Sequence, residues 1–198
     1  DALDGVRILC AEREGTCGVA GLNAIVERWS ARRGLDTRDV WYHRRPVLVG
    51  ANDYGAEVFN GDLGVCWRDG GRTEVHFATP DGGTRHLPVE RLPAVTTAWA
   101  MTVHKSQGSE FGEVLFVLPR QESRLLTREL IYTGLTRAKR RVTVLGADDV
   151  LRAGLSATAS RATGLPSTTC TVSRPASWRS SAVADWRVPR PSAAASRV

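Results

Sequence analysis

The chain has 198 residues, 42% of them hydrophobic, with a net charge of +6 and an isoelectric point near 9.7. This apolar content is sufficient for the core of one ordinary domain and a small additional one. The sequence contains no uninterrupted apolar run of about 18 residues, and Asp1-Ala-Leu-Asp4 lacks the basic and then apolar pattern of a signal peptide. We therefore predict a globular, cytoplasmic protein with no membrane association.

The positive charge is unevenly distributed. Residues 156–198 contain six arginines and a single acid, Asp185, so that the remainder of the chain is almost neutral. Total charge therefore says little about nucleic-acid binding by the folded part, and local motifs must support any such prediction. The four cysteines show no Cys-x-x-Cys spacing and no neighbouring histidine pair, so the cysteine pattern indicates neither a zinc site nor a disulfide framework.

The first predicted elements are typical of an α/β sheet. Val6 to Cys10 is predicted to form a short buried strand. Apolar residues then recur at helical spacing and predict an amphipathic helix; they are Val19, Leu22, Ile25, Val26 and Trp29. We assign residues 1–45 to the first part of a parallel-sheet domain.

Residues 46–93 change to short β-type runs separated by turn sequences. The predicted strands lie at 47–49, 64–67, 74–77 and 84–87, and the turns contain Asn60-Gly61, Asp69-Gly70 and Asp81-Gly82. Closely spaced strands of this kind predict a small antiparallel β-barrel inserted into the α/β domain.

Residues 94–150 return to an α/β pattern. The strand predicted at Val114–Leu118 is continuously apolar, which is typical of a parallel sheet covered on both faces. A helix is predicted to begin near Thr127, and another strand at Val142–Leu145. Residues 151–198 are basic, rich in Ser, Ala, Arg and Pro, and without apolar periodicity beyond Leu155, so we predict a disordered tail. A DNA-contacting tail and a non-native end both remain open for this segment.

Two motifs carry the chemistry of the sequence. The first runs from Thr102 to Phe111 and places small, polar and basic side chains at what we predict to be a strand-to-helix junction suited to phosphate. The second runs from Glu129 to Lys139 and places an arginine near the end of an apolar helix. Together they resemble the fifth and sixth motifs of superfamily 1 DNA helicases, and in detail those of RecD-like helicases, the family of the alpha subunit of exodeoxyribonuclease V.

The resemblance implies a fold as well as an activity. It implies the second RecA-like domain of an ATP-dependent helicase moving 5′ to 3′, and it identifies the inserted barrel as a Src-homology-3-like one. Fold analogy alone assigns that barrel no function.

Arg137 is the predicted catalytic residue. Its guanidinium is always charged and its fork matches phosphate oxygens, and the resemblance implies that it reaches the γ-phosphate of ATP as an arginine finger. The alternative is a cation that interacts with the negative end of the helix dipole. We expect that role instead for Lys139, Arg140 and Arg141.

The first motif is predicted to serve two ligands. Hydroxyl, imidazole and ammonium groups bind the phosphates of single-stranded DNA without reading its sequence, and Thr102, His104, Lys105 and Ser106 supply them. The resemblance places Thr102 and His104 on the DNA side, and Gln107, Gly108 and Glu110 on the ATP side. A histidine taken alone would be interpreted as a structural residue, but the match of the whole motif favours a DNA-binding role for His104.

The sequence contains no Gly-x-x-x-x-Gly-Lys-Ser/Thr loop, which cradles the β- and γ-phosphates. We therefore expect the Mg²⁺ ligands and the phosphate cradle for ATP in an upstream RecA-like domain, and no ATP hydrolysis by this chain alone. The resemblance further implies RecB-like and RecC-like partner subunits. A non-catalytic module that binds single strands or holds subunits is the alternative function, and a stand-alone RecD-like helicase is a close variant of the first.

Overall fold

The computed structural model of the protein describes residues 5–79 and 81–158. Its strands are β1 (Val6–Cys10), β2 (Pro46–Val49), β3 (Leu63–Asp69), β4 (Arg72–Ala78), β5 (Thr84–Pro88), β6 (Val95–Thr97), β7 (Ala100–Thr102), β8 (Phe111–Val117) and β9 (Ala138–Leu145). Its α-helices are α1 (Val19–Ala31), α2 (Arg128–Leu135) and α3 (Asp148–Ser156). Asp1–Ser160 form one compact unit, and the second unit, 161–198, lies outside the described residues, as does most of the predicted tail.

A four-stranded parallel sheet forms the centre of the α/β part, as the sequence predicts. Its strand order is β7-β1-β8-β9, and every neighbouring pair is parallel. One face carries Leu9, Val114 and Phe116, which are buried together with Ile131 of α2 and Val150 of α3. Because all four strands are parallel, their carboxyl ends lie along one edge of the sheet and their amino ends along the other.

The inserted segment forms a five-stranded antiparallel sheet in the order β5-β4-β3-β2-β6. Its own core includes Val47, Val49, Cys66 and Val75. The four predicted strands of this segment are present. The strand β6, which the sequence analysis assigned to the α/β part, pairs instead with β2, so the sheet extends beyond residue 93. Strands β5 and β6 stand at the two edges, and closure into a Src-homology-3-like barrel remains a prediction.

Helix α1 turns only part of the predicted apolar face toward the sheet, because Val19, Leu22 and Val26 are partly buried on the face that also carries Asn23. Asn23 and Ser30 are its buried residues, whereas Ile25 and Trp29 are each 46% exposed. The reason is a set of hydrogen bonds to the strand region: the Asn23 amide donates to the carbonyls of Thr97 (3.1 Å) and Ala100 (3.2 Å) and accepts from the Ala100 amide (2.9 Å). The helix is therefore oriented by an asparagine.

Two further predictions need correction. The helix of the predicted strand-to-helix junction is a single 3₁₀ turn, His104–Ser106, which follows β7, and the positive φ of Gly108 (+83°) helps lead the chain into β8. The predicted tail boundary at residue 151 is also wrong. Helix α3 continues to Ser156, with Gly154 buried beside Leu126 and Ile131.

No helix within the described ranges is long and apolar enough to cross a membrane. The longest of them, α1, has 13 residues, two of them charged, and is shorter than the roughly 20 apolar residues that a bilayer requires.

Candidate functional site

An open groove of about 710 Å³ lies at the carboxyl edge of the parallel sheet. It is formed by the loop that follows β1 and the 3₁₀ turn that follows β7, since both strands end at this edge. Clefts at the carboxyl ends of parallel strands are the usual ligand sites of α/β folds. The lining residues are Ala11, Glu12, Arg13, Glu14, Asn60, Thr102, His104, Lys105 and Leu125.

Three of the four predicted DNA-binding residues line this groove. The Thr102 hydroxyl accepts a hydrogen bond from the Lys105 amide (3.3 Å), which orders the start of the 3₁₀ turn. The Lys105 ammonium donates to the Asn60 side-chain oxygen (2.8 Å), and the His104 side chain is exposed. The groove therefore contains an imidazole and an ammonium, which are suited to phosphate.

Ser106, the fourth predicted DNA-binding residue, does not face the groove. It is fully buried, and its hydroxyl donates to the Val103 carbonyl at 2.7 Å. This hydrogen bond links the last residue of the 3₁₀ turn to the residue that precedes the turn. The side chain stabilises the turn from inside and is not available to a phosphate, which corrects its predicted role.

The second half of the motif crosses to the opposite edge of the sheet. Gln107, Gly108 and Glu110 are exposed, and the chain enters β8 at Phe111, which is the amino end of that strand. A strand of seven residues spans about 20 Å. We refer to residues 103–110 as the connector, because it joins the carboxyl edge of the sheet to the amino edge.

Arg137 lies at the amino edge, against the end of the connector. Its Nε donates to the Thr133 carbonyl (3.2 Å), and its Nη1 donates to the Ser109 carbonyl (3.2 Å). Its own carbonyl accepts from the Phe111 amide at 2.8 Å. The bond to Thr133 is the one expected of a cation at the carboxyl end of a helix, which was the alternative role for Arg137. The contacts with Ser109 and Phe111 join the two motifs. Arg137 therefore contacts Ser109, which stands between Gly108 and Glu110 of the predicted ATP side in the sequence.

Helix α2 begins at the predicted position and holds Arg137 in place. Thr127 caps it, accepting from the Leu130 amide through its hydroxyl (3.3 Å). Gly134 lets the helix approach the sheet, because a Cβ there would lie 3.3 Å from Cγ2 of Val103 in the connector. Close packing therefore accounts for this glycine.

Sequence reasoning missed four polar residues of the groove, which are Glu12, Arg13, Glu14 and Asn60. Arg13 follows β1 by three positions, and the only sequence signal for it is its place after a predicted buried strand. Asn60 was part of a turn signal, Asn60-Gly61, which predicted the loop but not its contact with Lys105. Asn60 comes from the antiparallel sheet region, so only the tertiary fold brings it to the groove.

Cys10 ends β1 next to the groove and is completely buried. Burial raises the pKa of its thiol to about 12. Its Sγ lies 3.3 Å from the Glu12 carbonyl and 3.6 Å from the Met101 carbonyl. The thiol therefore remains protonated at neutral pH and has a structural role.

Comparison with known proteins places both motifs in a helicase domain family. Residues 97–145, which include both motifs, match the UvrD-like helicase C-terminal domain family. The chain is 49% identical over 172 residues to the RecBCD enzyme subunit RecD of Mycolicibacterium smegmatis, a match that covers 82% of this chain and 29% of that protein. It is 36% identical over 140 residues to the ATP-dependent RecD2 DNA helicase of Deinococcus radiodurans, covering 69% of this chain and 19% of that protein.

Among solved structures, a Bacteroides Pif1 helicase in complex with ADP-AlF3 and single-stranded DNA is similar with a TM-score of 0.46 and 16% identity, over 78% of this chain and 43% of that one. The chain spans less than a third of the length of these RecD relatives. Both sequence motifs lie inside the matched region. The chain belongs to the RecD-like superfamily 1 helicases, of which it represents the C-terminal domain with UvrD-like helicase motifs.

Proposed function

We propose that this chain is the second motor domain of an ATP-dependent RecD-like DNA helicase that moves 5′ to 3′ on single-stranded DNA. The observation that carries the proposal is the connector. Its first residues form the groove at the carboxyl edge of the sheet, and its last residues contact Arg137 at the amino edge. One short segment therefore touches both predicted ligand sites.

The groove is the proposed DNA face. Thr102, His104 and Lys105 supply polar and basic groups along one wall, and Arg13 adds a second cation. Such groups hold the phosphate backbone in any sequence, which suits a motor that must step along the strand. The contact between Lys105 and Asn60 ties this wall to the loop before β3.

The amino edge is the proposed ATP face. Arg137 is only partly buried, and its two strongest contacts are to neutral carbonyls, which a phosphate oxygen replaces with a stronger, charge-assisted bond. Gln107, Gly108 and Glu110 are exposed in the segment that carries Ser109, the residue whose carbonyl Arg137 contacts. Arg137 would act as the arginine finger, whereas the Mg²⁺ ligands and the phosphate cradle would belong to an upstream RecA-like domain.

The connector would couple the two faces. Movement of Arg137 toward a bound γ-phosphate releases the Ser109 carbonyl, and the connector carries that change toward Thr102 and His104. Eight residues reach at most about 26–29 Å when extended, and the 3₁₀ turn His104–Ser106 takes up part of that length, so a connector that spans about 20 Å has little slack. A displacement at one end is therefore transmitted to the other.

The relatives named RecBCD subunit RecD favour an assembly with RecB-like and RecC-like subunits that acts on broken duplex DNA. The relative named RecD2 favours the stand-alone variant. Co-purification of the full-length protein with RecB-like and RecC-like chains distinguishes these two forms.

The proposal is tested by separating the two faces in the full-length motor. We expect Arg137→Lys to reduce the rate of ATP hydrolysis by about 10³-fold or more, because lysine keeps the charge but loses the fork. Single-strand binding should remain within about twofold of the wild-type protein. Hydrolysis is measured at saturating DNA, and binding by fluorescence anisotropy with a labelled oligonucleotide.

Thr102→Val is the matched variant for the other face. Valine keeps the shape of the side chain and removes the hydroxyl, which costs roughly 1 kcal/mol of phosphate binding, or about a fivefold rise in the DNA concentration for half-maximal stimulation. ATPase without DNA should be unchanged. The division into two faces is refuted if Arg137→Lys weakens DNA binding and leaves hydrolysis intact.

A further inference from the structure

The antiparallel sheet brings together three side chains that the proposed motor function does not use. His76 of β4 and His86 of β5 are direct cross-strand partners. Glu74 precedes His76 by two residues and therefore lies on the same face of β4. The potential ligand atoms of these three residues all lie within 4.8 Å of one another. We refer to Glu74, His76 and His86 as the sheet cluster.

The geometry of the sheet cluster is tight. The two imidazole rings stack with centroids 4.0 Å apart and an angle of 23° between their planes. The His86 Nδ1 lies 3.7 Å from a carboxylate oxygen of Glu74. On the other side of His76, the ring of Trp67 in β3 stacks at 5.9 Å. The backbone ladder between β4 and β5 holds all three Cα positions, so side-chain rotation alone changes the distances between the ligand atoms.

The electrostatics favour a cation between these groups. A neutral imidazole offers the nitrogen lone pair that a metal ion requires. The Glu74 carboxylate adds an oxygen ligand and negative charge.

We propose that the sheet cluster binds one divalent transition-metal ion, with Zn²⁺ as the preferred species. Two imidazole nitrogens and one carboxylate oxygen are a common ligand set for zinc, with bonds of about 2.0–2.2 Å. Tetrahedral ligands at that distance are about 3.3 Å apart, so the ligand atoms must approach by up to about 1.5 Å. His86 is exposed and the other two are partly exposed, which leaves room for this rotation.

The metal ion would hold the edge strand β5 to its neighbour β4. β5 stands at the edge of its sheet and pairs only with β4 among the described strands, so its outer side lacks the second ladder that central strands have. A bond from each strand to one ion joins them independently of the backbone hydrogen bonds. Three protein ligands leave the fourth position to water or to a group from another molecule.

An ion pair between His86 and Glu74 with ordinary ring stacking is the competing explanation, and it requires no metal. The two are separated by titrating the full 198-residue chain, free of any affinity tag, with Zn²⁺ in a calorimeter. We expect one saturable site per chain. His76→Ala and His86→Ala should each weaken it at least tenfold, and Glu74→Gln by a smaller factor. His104→Ala removes an exposed histidine outside the cluster and should bind Zn²⁺ as the unmodified chain does.

A second measurement guards against misfolded variants. His86→Gln is a conservative change at an exposed edge position, and its far-ultraviolet circular dichroism should match that of the unmodified chain. The melting temperature of the unmodified chain should rise with Zn²⁺ concentration, and that of His86→Gln should not. The proposal is overturned if the unmodified chain shows no saturable site, if the His86 variants bind with unchanged affinity, or if Cys17→Ser abolishes binding.

Discussion

Asn23 shows how a single polar residue decides the placement of a helix. Apolar spacing along α1 predicts that Ile25 and Trp29 face the core, yet both are about half exposed and Asn23 is buried. Its amide satisfies backbone groups between β6 and β7, at the point where the antiparallel sheet passes into the parallel one. Unpaired backbone groups in such a buried place cost more than the partial exposure of one apolar side chain.

We predict that Asn23→Ala destabilises the chain by roughly 2–4 kcal/mol, because it removes three hydrogen bonds and leaves buried carbonyl and amide groups without this partner. Ile25→Ala on the same helix should cost less than about 1 kcal/mol, since the side chain is half exposed and alanine favours the helix. Urea denaturation measures both. A larger loss for Ile25→Ala would show that the side of α1 that carries Ile25 and Trp29 is the one that docks.

At the scale of elements, α3 belongs to the folded domain. Val150 is buried in the same core as Leu126 and Ile131, and Gly154 allows the helix to approach them, since a Cβ there would meet Leu126 Cγ at 2.8 Å. The Arg128 amide also donates to the carbonyl of Ala157, just beyond α3, at 2.9 Å. Helix α3 therefore supports the start of α2, which carries the second motif.

Val150→Ala is expected to destabilise the chain by about 1.5–3 kcal/mol through lost burial and a residual cavity. That corresponds to a fall in melting temperature of several degrees for a chain of this size. Leu155→Ala is the matched change on the exposed side of the same helix and should shift stability by less than about 0.5 kcal/mol. Equal effects of the two substitutions would contradict the packing of α3 against α2.

At the scale of the whole molecule, apolar surface remains uncovered opposite α2 and α3. Val6 and Leu145 are 59% and 58% exposed at opposite ends of the other sheet face, and Ile25 and Trp29 of α1 are also exposed. The predicted cover on both faces of the parallel sheet is therefore incomplete within the described residues. The chain also spans less than a third of its RecD relatives, and the proposed ATP face holds only part of what phosphoryl transfer requires.

We predict that the isolated chain has no detectable ATPase, because Arg137 assists a phosphate that another domain must hold. Joining it to the upstream RecA-like domain of the same protein should give DNA-stimulated hydrolysis, which the Arg137→Lys version of the joined protein should lack. Phosphate release is measured with matched protein concentrations. ATP hydrolysis by the purified isolated chain that Arg137→Lys does not change would come from a contaminating enzyme. ATP hydrolysis that Arg137→Lys abolishes would refute the prediction.

Local sequence predicted much of the fold, and the physical reason is periodicity. The continuous apolar run around Val114–Leu118 and the turn pairs such as Asp69-Gly70 each determine structure over a few residues, and the corresponding strands are present. The strand β6 was not predicted, and its pairing with β2 could not be, because three residues carry no signal of which partner they pair with. The start of α2 was predicted within one residue, since Thr127 is a local cap.

The sequence by itself determined the family, the parallel and antiparallel parts, and the position of Arg137, because motifs and periodicity are properties of short segments. Only the tertiary structure decided which groups meet. It placed Arg137 against Ser109 and buried Ser106. It also brought Lys105, which follows the parallel sheet strand β7, to Asn60, which precedes the antiparallel sheet strand β3, and it placed His76 beside His86. Such contacts depend on strand register and on the packing of distant segments, which no local pattern encodes.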